Sequence, residues 1–205
     1  MNKYVAHPWH GIPLGEKYPY IVNAFIEVTP SDTVKYELDK TTGLLKIDRP
    51  QLFSNICPTL YGMLPQTFCG KRVANRCSIM YDRKDIIGDS DPLDICVLTE
   101  KLVTHGNIQL KAIPIGGIKL IDNNEADDKI IAVLKDDAVY GDWENIDQCP
   151  RQVLARLEHY FLTYKQAPES QNHKCEIVGV YGKEEAINII KLANEDYKEQ
   201  FNEMI

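Results

Sequence analysis

Several features that would fix the class of this chain at a glance are missing. In 205 residues there is no apolar run near the roughly 18 residues that a membrane span needs. The N-terminal stretch, interrupted by Pro8, Gly11 and Pro13, has no signal-peptide core. Cations are in the minority: 23 Lys and Arg against 30 Asp and Glu leave a net charge of -7, which argues against nucleic acid or acidic lipid as a partner. A basic pocket for a small anion is compatible with that balance. The six cysteines (57, 69, 77, 96, 149 and 175) include no CxxC pair, and no His stands at zinc-ligand spacing beside Cys69 and Cys77. Free thiols are therefore expected, not a disulfide framework or a structural zinc. No repeat, low-complexity tract or linker divides the chain, so a single domain over residues 1–205 is expected. The expected setting is soluble and cytoplasmic.

With 44% hydrophobic and 26% charged residues there is enough apolar material for a core. Strands are expected at Ile21 to Thr29, at Val34 to Asp39 and Leu44 to Arg49 as a hairpin around Gly43, at Ile95 to Thr99, at Ile108 to Ile121, at Lys129 to Leu134 and at Glu176 to Tyr181. Pro50 to Gly88, interrupted by Pro58, Gly62, Pro65 and Gly70, reads as loop with short strands, and Asp122 to Asp128 as a carboxylate-rich turn. Helical spacing governs Asp147 to Lys165, with Pro150 in the first turn and Val153, Leu154, Leu157, Phe161 and Tyr164 on one stripe. It returns from Lys183 to about Met204, with Ile187, Ile190, Ala193, Tyr197 and Phe201 together. Strands first and helices last indicate an α+β, mainly β fold: a small antiparallel barrel with C-terminal helices packed against it.

The sharpest motif is Gly88-Asp89-Ser90-Asp91-Pro92-Leu93-Asp94, running into an apolar strand. In an extended segment Asp89 and Asp91 share a side, and Pro92 lets the chain turn Asp94 toward them. Carboxylates ~5 Å apart repel by about 3 kcal/mol per pair at an effective dielectric near 20. A hard cation relieves that repulsion. An EF-hand starting at Asp89 fails, because Asp94 stands where Gly is required and Leu93 where a ligand belongs. An aspartyl-nucleophile site fails as well, because Arg83, Lys84 and Asp85 precede the motif where a buried strand belongs. A solvated acidic turn is the plain alternative. Asp122, Glu125, Asp127 and Asp128 form a second acidic group, and Glu27, Lys35, Glu37 and Arg49 lie on strand-like segments. Carboxylates to hold cations, with Lys and Arg to hold phosphate-like oxygens, would give such a set a joint purpose.

In order along the chain, Glu27, Lys35-Tyr36-Glu37, Arg49, Tyr61-Gly62, Asp89-Ser90-Asp91-Pro92-Leu93-Asp94-Ile95, Asp122 with Asp127 and Lys129, and Tyr164-Lys165 resemble the soluble, OB-barrel inorganic pyrophosphatases. The resemblance covers about two thirds of the chain. It implies an OB-like barrel and hydrolysis of inorganic pyrophosphate to two phosphates with several Mg²⁺ ions and no covalent intermediate. By the same resemblance Asp89, Asp94 and Asp127 are ligands of the tighter metals, and Asp122 and Glu27 complete the metal cluster. Asp91 is the base toward the attacking water, and Lys35, Arg49, Tyr61, Lys129, Tyr164 and Lys165 grip the two phosphoryl units. His7, His10, His105, His159 and His173 are expected to be surface or packing residues. The interval from Tyr61 to Asp89 is longer than in compact bacterial members and looks more like the plant and animal ones, which bears on assembly; a homo-oligomer is expected. Two rival classes are a nucleic-acid module stacking bases on Tyr20, Phe25, Tyr36 and Tyr61, and a relative acting on nucleotides or organic diphosphates.

Overall fold

The computed structural model describes residues 7–165 and 175–201. His173 and the expected helix end near Met204 lie outside the described residues. The first strand, β1 (Val22–Val28), is buried along its whole length. β2 (Val34–Leu38) and β3 (Leu45–Pro50) form the expected hairpin as a separate two-stranded sheet. β4 (Leu60–Met63), β5 (Ile87–Gly88), β6 (Asp94–Leu98), β7 (Ile108–Asp122), β8 (Glu125–Leu134) and β9 (Cys175–Gly182) join β1 in a seven-stranded sheet.

Within that sheet β1 pairs β4, β4 pairs β6, β6 pairs β8, β8 pairs β7 and β7 pairs β1, so the ladder returns to its starting strand. The all-antiparallel expectation is corrected here: β6 and β5 run parallel to β8. The reason is parity. Directions cannot alternate around a closed ring of five strands, so one seam must be parallel.

Three further expectations are corrected. The stretch read as loop contains α1 (Lys71–Tyr81), which buries only Val73, Ala74 and Cys77. Its arginines are held by acids of α3 (Lys183–Gln200): Arg72 binds Asp196 at 2.9 Å and Glu199 at 2.6 Å, and Arg76 binds Glu185 at 2.6 Å. Much of the helix's support is therefore tertiary. Second, Glu125 to Asp128 are strand, not turn. The turn is Asn123-Asn124 alone, both with positive φ (52° and 67°), which is the two-residue hairpin geometry that Asn tolerates. Third, Pro150 caps α2 (Arg151–Thr163) from outside the helix, and the preceding Ile146–Gln148 is a short 3₁₀ turn.

Two apolar clusters lie on opposite faces of the sheet. One packs Val22, Ile26, Ile95, Ile130 and their neighbours under α1 and α3, and the other packs Ile118, Leu120, Ile131 and Val133 under Leu154, Leu157 and Phe161 of α2. All six cysteines are free thiols. Among the described residues no helix is long and apolar enough to cross a membrane.

Candidate active site

A cleft of about 270 Å³ opens where the β2–β3 hairpin faces the ends of β4, β6 and β8. All twelve residues singled out in the sequence line it: Glu27, Lys35, Arg49, Tyr61, Asp89, Asp91, Asp94, Asp122, Asp127, Lys129, Tyr164 and Lys165. None of His7, His10, His105 and His159 does. His10 instead stacks on Trp9 and meets the Tyr197 hydroxyl at 2.8 Å, a packing role. Of the four aromatics a nucleic-acid module would need, Phe25 and Tyr61 are buried.

Each wall follows from local structure. Gly62 has no side chain because a Cβ there would lie 1.9 Å from the Phe25 carbonyl oxygen of β1, and this close approach seats Tyr61 beside β6. Tyr61 donates to Asp94 Oδ2 at 2.6 Å. Asp94 starts β6 opposite Lys129 of β8, and Lys129 Nζ donates to both Asp94 and Asp127. The Asp89 to Asp91 segment is not the extended run expected. Ser90 has a φ of 64°, and the Asp91 N–H turns back to Asp89 Oδ1 at 2.9 Å. This turn is clamped to Cys69, whose N–H donates to the Asp91 carbonyl and whose carbonyl accepts from the Ser90 N–H. On the hairpin, Lys35 pairs Arg49 and Tyr36 pairs Ile47, which leaves Asp48 as a bulged extra residue. Adjacent Asp48 and Arg49 consequently both line the cleft. Glu27 ties the hairpin to the sheet by accepting the Leu38 N–H at 2.8 Å.

Four charged lining residues were not among the sequence candidates: Lys40, Glu37, Asp48 and Glu125. Glu37 and Glu125 were noted as acidic neighbours without a role. Lys40 sits at the hairpin tip and pairs with Asp91 across 51 residues of chain, while Asp48 lies 3.2 Å from Lys35 Nζ. Alternation along a strand would have pointed to Glu37, two residues after Lys35. No local signal marks Lys40 or a bulge at Asp48.

The electrostatics are unusual for a protein surface. Nine carboxyl groups face five cationic side chains, four more potential negative charges than positive. Burial pushes the Asp89 carboxyl up to about 8, and the neighbouring Asp127 and Asp94 charges add to the effect. Burial likewise raises Glu27 to about 8. Asp127 is raised by burial against the pull of Lys129. Burial works against the charge on Lys129, but Asp127 and Asp94 outweigh it and hold its pKa well above the usual lysine value. Arg49 stacks 5.3 Å from the Tyr164 ring, and its Nη2 is buried with no hydrogen-bond partner among the described residues. Lys165 donates to Asp122 Oδ2 at 2.6 Å.

Among the described residues no three His, Cys, Asp or Glu side chains stand close enough together to ligate one ion. Lys129 lies between Asp94 and Asp127, where it supplies the compensating charge. The donor set is all oxygen and short of positive charge. That chemistry suits a hard, oxygen-preferring cation better than zinc or copper, and Asp89, Asp94 and Asp127 are the carboxylates that could take part in holding one.

The chain matches the family model described as inorganic pyrophosphatase over residues 24–198. It is 57% identical to an inorganic pyrophosphatase of Chlamydia trachomatis over 94% of each chain. It is 36% identical to a soluble inorganic pyrophosphatase of Solanum tuberosum over 95% of this chain and 82% of that one. Among solved structures, the inorganic pyrophosphatase of Thermus thermophilus superposes with a TM-score of 0.77 at 25% identity, covering 95% of this chain and 99% of that one. The Helicobacter pylori enzyme gives 0.71 at 28% identity over 87% and 94%. By sequence over nearly its whole length and by backbone alike, the chain belongs to the inorganic pyrophosphatase family, hydrolases that split pyrophosphate into two phosphates.

Proposed function

We propose that the cleft hydrolyses inorganic pyrophosphate by direct attack of water, with Asp91 as the base and no covalent intermediate. The observation that supports this reading most is the convergence of all twelve candidate residues on one cavity, although they are scattered from position 27 to position 165. Pyrophosphate is highly charged and nearly inert in water, so catalysis requires positioning together with neutralisation of developing charge. Mg²⁺ bound by Asp89, Asp94 and Asp127, with Asp122 and Glu27 completing the cluster, would supply that neutralisation and make water more acidic.

The chain's own residues account for the rest. Asp91 is held through its backbone by Asp89 and Cys69, and its half-exposed side chain lines the cleft with Lys40 as its one side-chain partner among the described residues, which suits a group that must take a proton. Lys35, Arg49, Lys129 and Lys165 oppose the charge on the two phosphoryl units. The buried Nη2 of Arg49 is a donor whose desolvation an anionic acceptor would offset. Burial, with Asp94 close by, raises Tyr61 well above the usual tyrosine value, so it remains a neutral donor. Tyr164 completes that wall.

The ring of strand pairings supports an OB-like barrel as the scaffold, and the span of the family match supports a single domain. Homo-oligomeric assembly and a cytoplasmic setting belong to the same reading. The test is phosphate release with millimolar Mg²⁺ from pyrophosphate, ATP and a phosphomonoester. Pyrophosphate should be cleaved far faster than the others; equal rates would shift the assignment to organic diphosphates, and no release from pyrophosphate would overturn it.

A further inference from the structure

Behind the cleft, on the other face of β8, lies a charged group with no part in the chemistry above. Lys119 of β7 and Asp128 of β8 are direct ladder partners with both side chains fully buried, and Lys119 Nζ donates to Asp128 Oδ2 at 2.5 Å. The Tyr181 hydroxyl of β9 donates to Asp128 Oδ1 at 2.8 Å. The cluster around them is apolar and includes Ala126, Ile130, Ile121 and Cys77. Burial works against the Lys119 charge, but Asp128 outweighs it and the pKa rises. Such a pair is a weak source of stability, because the cost of taking two charges out of water cancels much of their attraction. The best attested use of one is to fix a register.

Register is what this part of β8 needs. The strand reads Asp127-Asp128-Lys129, with Asp127 and Lys129 on the cleft and Asp128 in the core. Backbone hydrogen bonds do not distinguish one aspartate from its neighbour. A slip of one residue would send Asp127 and Lys129 into the apolar side and bring Asp128 to the cleft. The Asn123-Asn124 turn is a partial safeguard only, since a three-residue loop that includes Glu125 is another common hairpin connection. On the far side of β7, the pairing with β9 shifts register between Lys119 and Leu120. Among the described residues the one cation opposite these two aspartates on the core face is Lys119, and it selects Asp128.

We propose that Lys119, Asp128 and Tyr181 form a register-setting group, positioning residues that keep Asp127 and Lys129 directed into the cleft. This rests on Asp127 and Lys129 being working residues of the site, which Asp127→Asn in the otherwise native chain tests separately. If that variant keeps full turnover and a normal Mg²⁺-induced rise in melting temperature, the site assignment fails, not the register group.

The experiment compares Lys119→Met with Lys119→Met/Asp128→Leu for kcat, KM and the Mg²⁺-induced shift of the thermal melt. Lys119→Met leaves two neighbouring aspartates with only the Tyr181 hydroxyl, an uncharged donor, to tell them apart. It should still melt cooperatively, but with kcat down at least about tenfold, as misplacement of ~1 Å can cost up to 10²-fold, and with a smaller Mg²⁺ shift. In the double variant only leucine suits the core, so register returns without any ion pair, and both readouts should return close to native. If folded Lys119→Met keeps native kcat and Mg²⁺ shift, the pair is merely structural. If the double variant stays as impaired as the single, the charges act on the site directly; either result overturns the proposal. Should Lys119→Met not fold, Tyr181→Phe takes its place. It should show the same losses to a smaller degree, and unchanged kcat and Mg²⁺ shift would again overturn the proposal.

Discussion

Two buried or half-buried aspartates in this molecule are treated in opposite ways. Asp137, in the turn after β8, accepts from the Thr99 hydroxyl at 2.6 Å and from the N–H groups of Glu100, Val139 and Tyr140 at 2.9 to 3.0 Å. Burial alone would raise its pKa, but these four donors outweigh it and hold the carboxyl at about 2. Asp89, in the cleft, receives one backbone N–H, faces other carboxylates and is driven up to about 8. A region built to keep its shape satisfies its carboxylate internally. The cleft sets nine carboxyl groups against five cationic side chains and leaves Asp89 with a single donor, so its remaining demand is for positive charge from outside the chain.

The largest expected effect that could break this contrast is on turnover. Asp91→Asn should lower kcat by about 10²- to 10⁴-fold, since an amide fills the space but takes no proton. Steady-state kinetics at saturating Mg²⁺ checks it, and native turnover would reduce the Asp89–Asp94 turn to an ordinary polar surface. Next is the response to cations. At a hundred times its dissociation constant Mg²⁺ should add about 2.7 kcal/mol of stability, visible as a higher melting temperature. Ca²⁺ should raise the melt too yet support little turnover, and Asp94→Ala should shrink the shift. A melt that ignores both ions, or an Asp94→Ala protein that responds fully, would show that the cleft needs nothing from outside. The smallest effect belongs to the satisfied aspartate: Asp137→Asn should cost about 2 kcal/mol at neutral pH, the loss of charged hydrogen bonds. Because the folded pKa is depressed, that contribution is complete above the ordinary carboxylate range and disappears as pH falls toward 2. Denaturant melts of both proteins from neutral pH down to about pH 2 should therefore converge; a gap that persists at the acid end would mean Asp137 acts through packing.

The sequence was readable where chemistry and local pattern coincide. Asp89, Asp91 and Asp94 stood out by their spacing, Asp127 and Lys129 took their roles only from the resemblance to a known family, and α2 and α3 were legible because a wide apolar stripe repeats on each. α1 was illegible because its buried stripe is only Val73, Ala74 and Cys77, and the acids that hold Arg72 and Arg76 come from more than a hundred residues away. The Asp122 to Asp128 stretch was misread for the opposite reason. Its polar composition resembles a turn, but two asparagines suffice for the turn, and the carboxylates that follow are strand residues facing alternately cleft and core. Lys40 was missed because only the folding back of the hairpin carries it to Asp91.

The parallel seam between β6 and β8 also sets an order of events as the chain folds. A hairpin can zip from its turn, but Asp94 and Lys129 are ladder partners 35 positions apart with β7 between them, so the chain must close a long loop before they meet. On topology alone the β7–β8 hairpin forms first and β6 docks afterwards. A growing chain that has emerged only as far as β7 has its aspartate triplet but no Lys129 beside it, and hence no cleft. The mutual repulsion of the carboxylates then appears only after β7, β8 and the apolar layers beneath them exist to bear it.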